Sequence, residues 1–201
     1  MISKPEKKTP PRVRLLQAAS QLLMRHSFAQ VSVDDICKAA ETPKGTFYHH
    51  FPSKTDLALA ALEQMGAELK QQLEPVLLSD LPGQVRLKAY ADFVYQYHKG
   101  LFDSEGRIYG CPVAAVGQET LSEETRIREL VKKMMQAEEE MLVQTLGDMP
   151  AFAGWKEDKK TDLARQMQAM TTGVMYQACL LNDPSVIKRD LWPGLQRLLN
   201  L

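Results

Sequence analysis

Residues 32–54 read SVDDICKAAETPKGTFYHHFPSK. Ser32 is a good helix N-cap, and Asp35 three residues on completes a capping box. Val33, Ile36, Cys37 and Ala40 then form a buried stripe at helical spacing. Thr42 and Pro43 signal a second start almost at once, Thr42 as N-cap and Pro43 in the first turn, where its missing N–H is harmless. That second helix is short. Phe51 precedes Pro52, and the residue before proline is pushed out of the α region. Ser53 with Asp56 makes another capping box, from which a long helix runs from Lys54 to about Gln72. Helix, turn of three or four residues, short helix is the shape in which the second helix enters a DNA major groove.

The second helix divides its residues by face. Phe47, His50 and Phe51 share one side of the wheel and are expected to pack inward. Gly45, Tyr48 and His49 fall on the other side. Thr42 and Lys44 stand at the N-terminus, where unpaired backbone N–H groups favour phosphate. Gly45 permits close approach of a DNA backbone. Tyr48 and His49 can reach thymine methyls, phosphates or base edges.

The surrounding chain is helical throughout. The first eleven residues are rich in Lys and Pro and read as a flexible basic arm, 1–11. Val13, Leu16, Ala19 and Leu23 begin a helix at Arg12 that Ser27 and Phe28 end. Residues 12–54 form the DNA-binding head and 54–72 a connecting helix. Pro75, and then Leu81, Pro82 and Gly83, break the chain, so 73–201 is expected to be a second domain. Its helices are expected at about 84–103, 112–118, from a cap at Ser122, Glu123 and Glu124 to about 147, at 157–181 and at 185–199. Gly106 and Gly110 bracket a loop. With no β-type alternation, the fold class is all-α: a three-helix head carrying the helix-turn-helix, plus a helical C-terminal domain.

Charge fits that division. The whole chain is formally neutral. Residues 1–54 carry nine Lys/Arg against four acids, a net +5, so the remainder is −5. A basic head on an acidic body suits a protein whose front end meets phosphate. The three cysteines, Cys37, Cys111 and Cys179, match neither a zinc pattern nor an even disulfide framework. His26 and His98 lack ligand-spaced partners, so no metal and no cofactor are expected. The opening lacks the apolar stretch of a signal peptide, and no apolar run approaches the ~18 residues of a membrane span. The expected compartment is the cytoplasm, with no membrane partner.

The block KGTFYHHF at 44–51, Ser53 with Lys54, and V-x-D-I at 33–36 resemble the DNA-binding domain of the TetR family of transcriptional repressors. The resemblance is close over about residues 10–70 and extends beyond only in helix count and length. It implies a homodimer that grips a palindromic double-stranded operator and releases it on a signal. It also implies that Ser32, Thr42, Lys44, Gly45, Thr46, Tyr48, His49 and Lys54 contact DNA. One residue departs from the family: Glu41 stands in the turn where glycine is usual, and a positive φ there costs on the order of 1 kcal/mol.

Bodies of this family enclose a ligand cavity, and by that resemblance Tyr90, Phe93, Tyr97, Cys111, Met134, Met167, Met170 and Tyr176 are candidate lining residues for a small apolar or electrophilic effector. The same residues, read without the resemblance, are ordinary core. The segment GCPVAAVGQE at 110–119 resembles the Gly-Cys segment of one branch, the N-ethylmaleimide reductase repressor type, which senses electrophiles. Cys111 stands at a helix N-terminus, a position that favours thiolate, and is read either as a reactive sensor or as a small apolar side chain. Leu180, Leu181, Ile187, Leu191 and Leu195 are expected to form the dimer interface as half of a four-helix bundle. The rival classes are an enzyme, against which stand the missing paired carboxylates, phosphate loop and nucleophile elbow, and a helical adaptor. Repression and activation are both open.

Overall fold

The computed structural model describes residues 9–119 and 124–201. Its elements, in chain order, are α1 (Pro11–Arg25), α2 (Val33–Ala39), α3 (Lys44–His50), α4 (Lys54–Leu77), α5 (Gly83–Glu105), α6 (Pro112–Glu119), α7 (Thr125–Gly147), α8 (Glu157–Leu181) and α9 (Ser185–Leu199). No strand occurs among the described residues, and no helix there is long and apolar enough to cross a membrane. Most of the expected arm, and the expected cap residues Ser122 and Glu123, lie outside the described residues.

The expected bounds of α8 and α9 hold, but α4 runs further than expected. It continues through Pro75 to Leu77. Gln71 and Pro75 are both exposed, so the carbonyl that proline leaves without a donor lies on the solvent side. The end of the helix is anchored instead. Arg86 Nη1 donates to the Leu77 carbonyl at 2.9 Å, and the Thr145 hydroxyl lies 2.8 Å from the same oxygen. Those bonds satisfy a carbonyl that a helix C-terminus otherwise leaves unpaired.

The chain folds as two compact units. The first contains the described residues up to Glu68 together with Cys111–Met134, and the second contains Leu69–Gly110 and Met135–Leu201. The expected boundary at residue 73 therefore differs from the packing, which groups α6 and the start of α7 with the head. The first core is built from Leu15, Leu16, Ile36, Phe47, Phe51, Leu57 and Leu62, and Val113, Val116 and Ile127 join it. A short apolar helix cannot cover both of its faces alone, so α6 buries Val116 here.

The second unit buries Leu87, Tyr90, Leu142, Leu146, Met167, Ile187, Leu191 and Leu195. Helix α9 packs against α8 and α5. Gly106 and Gly110 take the positive φ values of 69° and 75° that the bracketed loop requires. Asn182, in the left-handed cap of α8, staples that loop: its Oδ1 accepts from Ile108 N at 3.1 Å and its Nδ2 donates to Gly106 O at 3.0 Å.

Candidate nucleic-acid interface

The capping box on α2 forms as the sequence predicts. The Ser32 hydroxyl accepts from Asp35 N at 3.1 Å, and the Asp35 carboxylate accepts from Ser32 N at 3.0 Å. The Ser32 hydroxyl also donates to the Asp35 carboxylate at 2.5 Å, and that bond first, then the one from Ser32 N, holds the Asp35 carboxyl below its ordinary range. The turn then passes through Glu41 at φ 48°. The family's usual glycine is absent, yet the backbone keeps the left-handed geometry that glycine would adopt. Glu41 N closes the turn onto Lys38 O at 3.2 Å, and Thr42 N onto Cys37 O at 3.0 Å.

Helix α3 starts one residue later than expected. Pro43, not Thr42, is its N-cap residue, and the Pro43 carbonyl accepts from Thr46 and Phe47. Thr42 is buried; its hydroxyl donates to Ala40 O at 3.0 Å and accepts from Arg14 Nη2 at 3.2 Å. The Thr42 side chain thus joins the turn to α1. Phe47 is fully buried and Phe51 nearly so, which stabilises the helix against the head by roughly 2–3 kcal/mol for a ring of that size. His50 is half-buried, and the Arg12 guanidinium sits 5.4 Å over the Phe51 ring.

The opposite face of α3 is open. Lys44, Gly45, Tyr48 and His49 are exposed, and Thr46 is half-buried. Ser32, at the start of α2, is exposed as well. Nothing lies within 4 Å of where a Gly45 Cβ would stand. Lys44 pairs with Asp34 of α2 at 2.9 Å, and that hydrogen-bonded carboxylate raises the lysine above its ordinary range. Lys54 is engaged elsewhere: its ammonium donates to Phe28 O at 2.8 Å and Val31 O at 3.0 Å and lies 4.2 Å over the Phe28 ring. Its side chain therefore braces the α1–α2 loop.

Residues 15–61 match the family model described as bacterial regulatory proteins, tetR family. Over that stretch the chain is similar to the DNA-binding domain of TetR-family regulators. It is 35% identical to the HTH-type transcriptional repressor NemR of Escherichia coli over 117 residues, 57% of each chain. It is 34% identical over 106 residues to the transcriptional regulator AcuR of Cereibacter sphaeroides, 52% of this chain and 47% of that one. The chain thus spans about half the length of these curated relatives. Among crystal structures, the reduced form of E. coli NemR superposes with a TM-score of 0.75 at 25% identity, covering 94% of this chain and 97% of that one. SCO4454, a TetR-family regulator from Streptomyces coelicolor, gives a TM-score of 0.80 at 23% identity, with 94% of each chain covered. The second likeness shows the fold. The NemR likeness follows the branch that the Gly-Cys segment suggests.

The expected effector-pocket residues are divided between the two units. Cys111 and Met134 belong to the first, where both pack against the head core. In the second, Tyr90 and Met167 are sealed in the interior. The Tyr90 hydroxyl donates to Glu138 Oε1 at 2.7 Å. Phe93 and Met170 pack against that core, and Met170 Sδ fills the space a Gly194 side chain would need. Tyr97 is 38% and Tyr176 67% exposed. A groove of about 480 Å³ in the second unit is lined by other residues, among them Glu139, Glu140, Gln144, Asp148 and Lys160.

The expected interface residues also separate. Leu180 and Leu181 are 72% and 64% exposed, beside Tyr176. Ile187, Leu191 and Leu195 are interior residues of their own unit, which removes them from any surface a second copy could meet. The sequence shows α9 as apolar but does not say which neighbour covers it; α8 and α5 do so within the chain. Sequence reasoning also missed Arg14, Asp34 and Glu119, whose partners lie 28, 10 and about 90 residues away. No local pattern announces such pairs.

Proposed function

We propose that this TetR-family protein is a homodimeric transcriptional repressor that binds a palindromic operator through α3 and is released by a small-molecule or electrophile signal. One observation carries the reading. The face of α3 opposite the buried Phe47 presents Lys44, Gly45, Tyr48 and His49 to solvent, and the space beside Gly45 is empty of protein. Glycine near a helix start costs stability relative to alanine. Intramolecular packing does not call for it here, whereas a DNA backbone at close range does. The names of the relatives, a repressor and a regulator, support the same reading.

The apolar surface of α8 supports a two-fold dimer. Tyr176, Leu180 and Leu181 are large, exposed and grouped within six residues, and a second copy of the same surface covers them symmetrically. Two recognition helices then read two half-sites, which makes the operator palindromic. The effector enters by one of two routes: reversible binding among the aromatic and Met side chains of the second unit, or covalent reaction at Cys111.

The test is selection of duplexes from a random-sequence pool, followed by titration of the selected DNA at increasing salt. A repressor of this kind enriches one palindrome and loses affinity steeply with salt while keeping its preference. Failure to enrich any sequence overturns the reading.

A further inference from the structure

The α1–α2 loop is held from two sides by residues remote in sequence. Glu119, the last residue of α6, accepts from Phe28 N through Oε2 and from Ala29 N through Oε1, each at 2.7 Å. From the other side Lys54 donates to the carbonyls of Phe28 and Val31. A carboxylate taking two backbone N–H groups at that distance is a charge-assisted pair of bonds, stronger than neutral ones. The loop ends at Ser32, the N-cap of α2, so its conformation sets where α2 starts. Helix α3 packs on α2 and α1.

Helix α6 is itself fixed within the same unit. Val113 and Val116 are buried in the head core. Gly117 lies so close to Val131 of α7 that a Cβ there would stand 3.1 Å from a valine methyl. Its end is therefore a defined point from which Glu119 reaches the loop.

We propose that Glu119 is a positioning residue for DNA recognition: its carboxylate ties α6 to the α1–α2 loop, so that a displacement of α6 is passed to α2 and α3. This route begins at the helix that Cys111 opens and reaches the recognition helix without passing along α4. It rests on the DNA-binding reading, but its first test needs no DNA.

In the full-length protein, amide exchange at Phe28 and Ala29 is compared between wild type and Glu119→Gln. Gln offers one acceptor oxygen and no charge. Exchange at these two amides is expected to rise about tenfold or more, the scale of one lost hydrogen bond, with the interior amides of α1 unchanged. Glu119→Asp, which keeps the charge but withdraws it by one methylene, provides a milder second variant and shifts the same two amides. Unchanged exchange at Phe28 and Ala29 in both variants overturns the proposal.

The second test separates coupling from local support. Gly117→Ala pushes α6 against Val131. Affinity for the duplex that wild type selects is measured for Gly117→Ala, Glu119→Gln and the double variant. The effect of Gly117→Ala is expected to shrink in the Glu119→Gln background, since the tie that transmits it is gone. Equal effects in both backgrounds overturn the transmission role. Absence of any selected duplex would sink the functional reading while leaving the amide measurement interpretable.

Discussion

Asp34 of α2 and Lys44 of α3 meet at 2.9 Å across the helix-turn-helix, with their side chains 72% and 53% exposed. A pair so exposed is weak. On the proposed DNA-binding reading, a DNA phosphate would compete for the same ammonium, with Asp34 as its internal rival. Asp34→Asn is expected to raise DNA affinity several-fold, most at low salt, where unscreened repulsion is largest. Lys44→Ala is expected to weaken binding about tenfold and to reduce the slope of log affinity against log salt by about one. A salt titration of both variants checks the pair; an unchanged slope for Lys44→Ala removes Lys44 from the phosphate contacts.

Gly45 and Tyr48 give a prediction whose two readouts move oppositely. The Gly45 position has room for a methyl group in the isolated protein. Gly45→Ala is expected to stabilise the protein by roughly 0.5–1 kcal/mol in thermal melting while weakening DNA binding. Tyr48→Ala, at a side chain 51% exposed, is expected to leave helicity unchanged and to cost roughly 1–3 kcal/mol of binding per half-site. Gly45→Ala binding as tightly as wild type would mean that the backbone there stays clear of DNA.

The caps of the head give it a pH dependence. Ser32 and Ser53 hold the carboxyls of Asp35 and Asp56 below their ordinary value of 3.8. Arg126 adds to the effect at Asp56, at 2.8 Å. A carboxyl with a depressed folded pKa stabilises the fold above its unfolded pKa and loses that contribution as pH falls through the folded value. Ser32→Ala is therefore expected to lower the melting temperature by about 2–4 °C at neutral pH. The gap to wild type should narrow as pH falls below 3.8 through the depressed folded value, leaving the part due to the cap bond from Asp35 N. A gap that stays constant into acid would mean the Asp35 bond contributes nothing.

These examples also show which parts of the molecule could be read from sequence. Ser32 and Asp35 are three residues apart, so their capping box is visible as a local pattern, and the helical wheel correctly turns Phe47 and Phe51 inward. The bounds of α8 and α9 are equally local. Glu119 is a different case, because its partners Phe28 and Ala29 are backbone groups some ninety residues away. Residues 111–134 look like part of the body because they follow it in the chain, but the buried face of α6 belongs to the head core. Periodicity shows that a helix has an apolar face and is silent on what covers it. The same silence made Leu191 and Leu195 look like interface residues.

Leu180 and Leu195 separate assembly from folding. Leu180 is 72% exposed and Leu195 fully buried. Leu180→Glu is expected to give a folded monomer by sedimentation, because the charge is buried only when two copies meet. Leu195→Glu places an unpaired charge in the core of one protomer and is expected to cost more than about 3 kcal/mol, so the second unit unfolds. A Leu180→Glu protein that remains dimeric at micromolar concentration would move the interface away from the exposed face of α8.

The three cysteines make the signal testable. Burial pushes the Cys37 and Cys179 thiols up, which lowers the thiolate available in each at neutral pH. Cys111 is half-buried at the start of α6, with its carbonyl accepting from Ala115 N at 3.0 Å. N-ethylmaleimide is a suitable probe: the sulfur adds across its ring double bond, and the thiol proton ends on the adjacent ring carbon. Mass spectrometry is expected to find the first adduct on Cys111. Adding a ring of that size at the half-buried start of a helix whose Val113 and Val116 are buried is expected to displace α6. The treated wild type is expected to release its selected duplex, while Cys111→Ser treated in the same way holds it. Release can follow only if the adduct favours the non-binding arrangement, so the two proteins should bind equally well before treatment. If Cys111→Ser releases DNA as readily as wild type, covalent sensing at Cys111 is excluded, and reversible binding in the second unit becomes the proposed trigger of release.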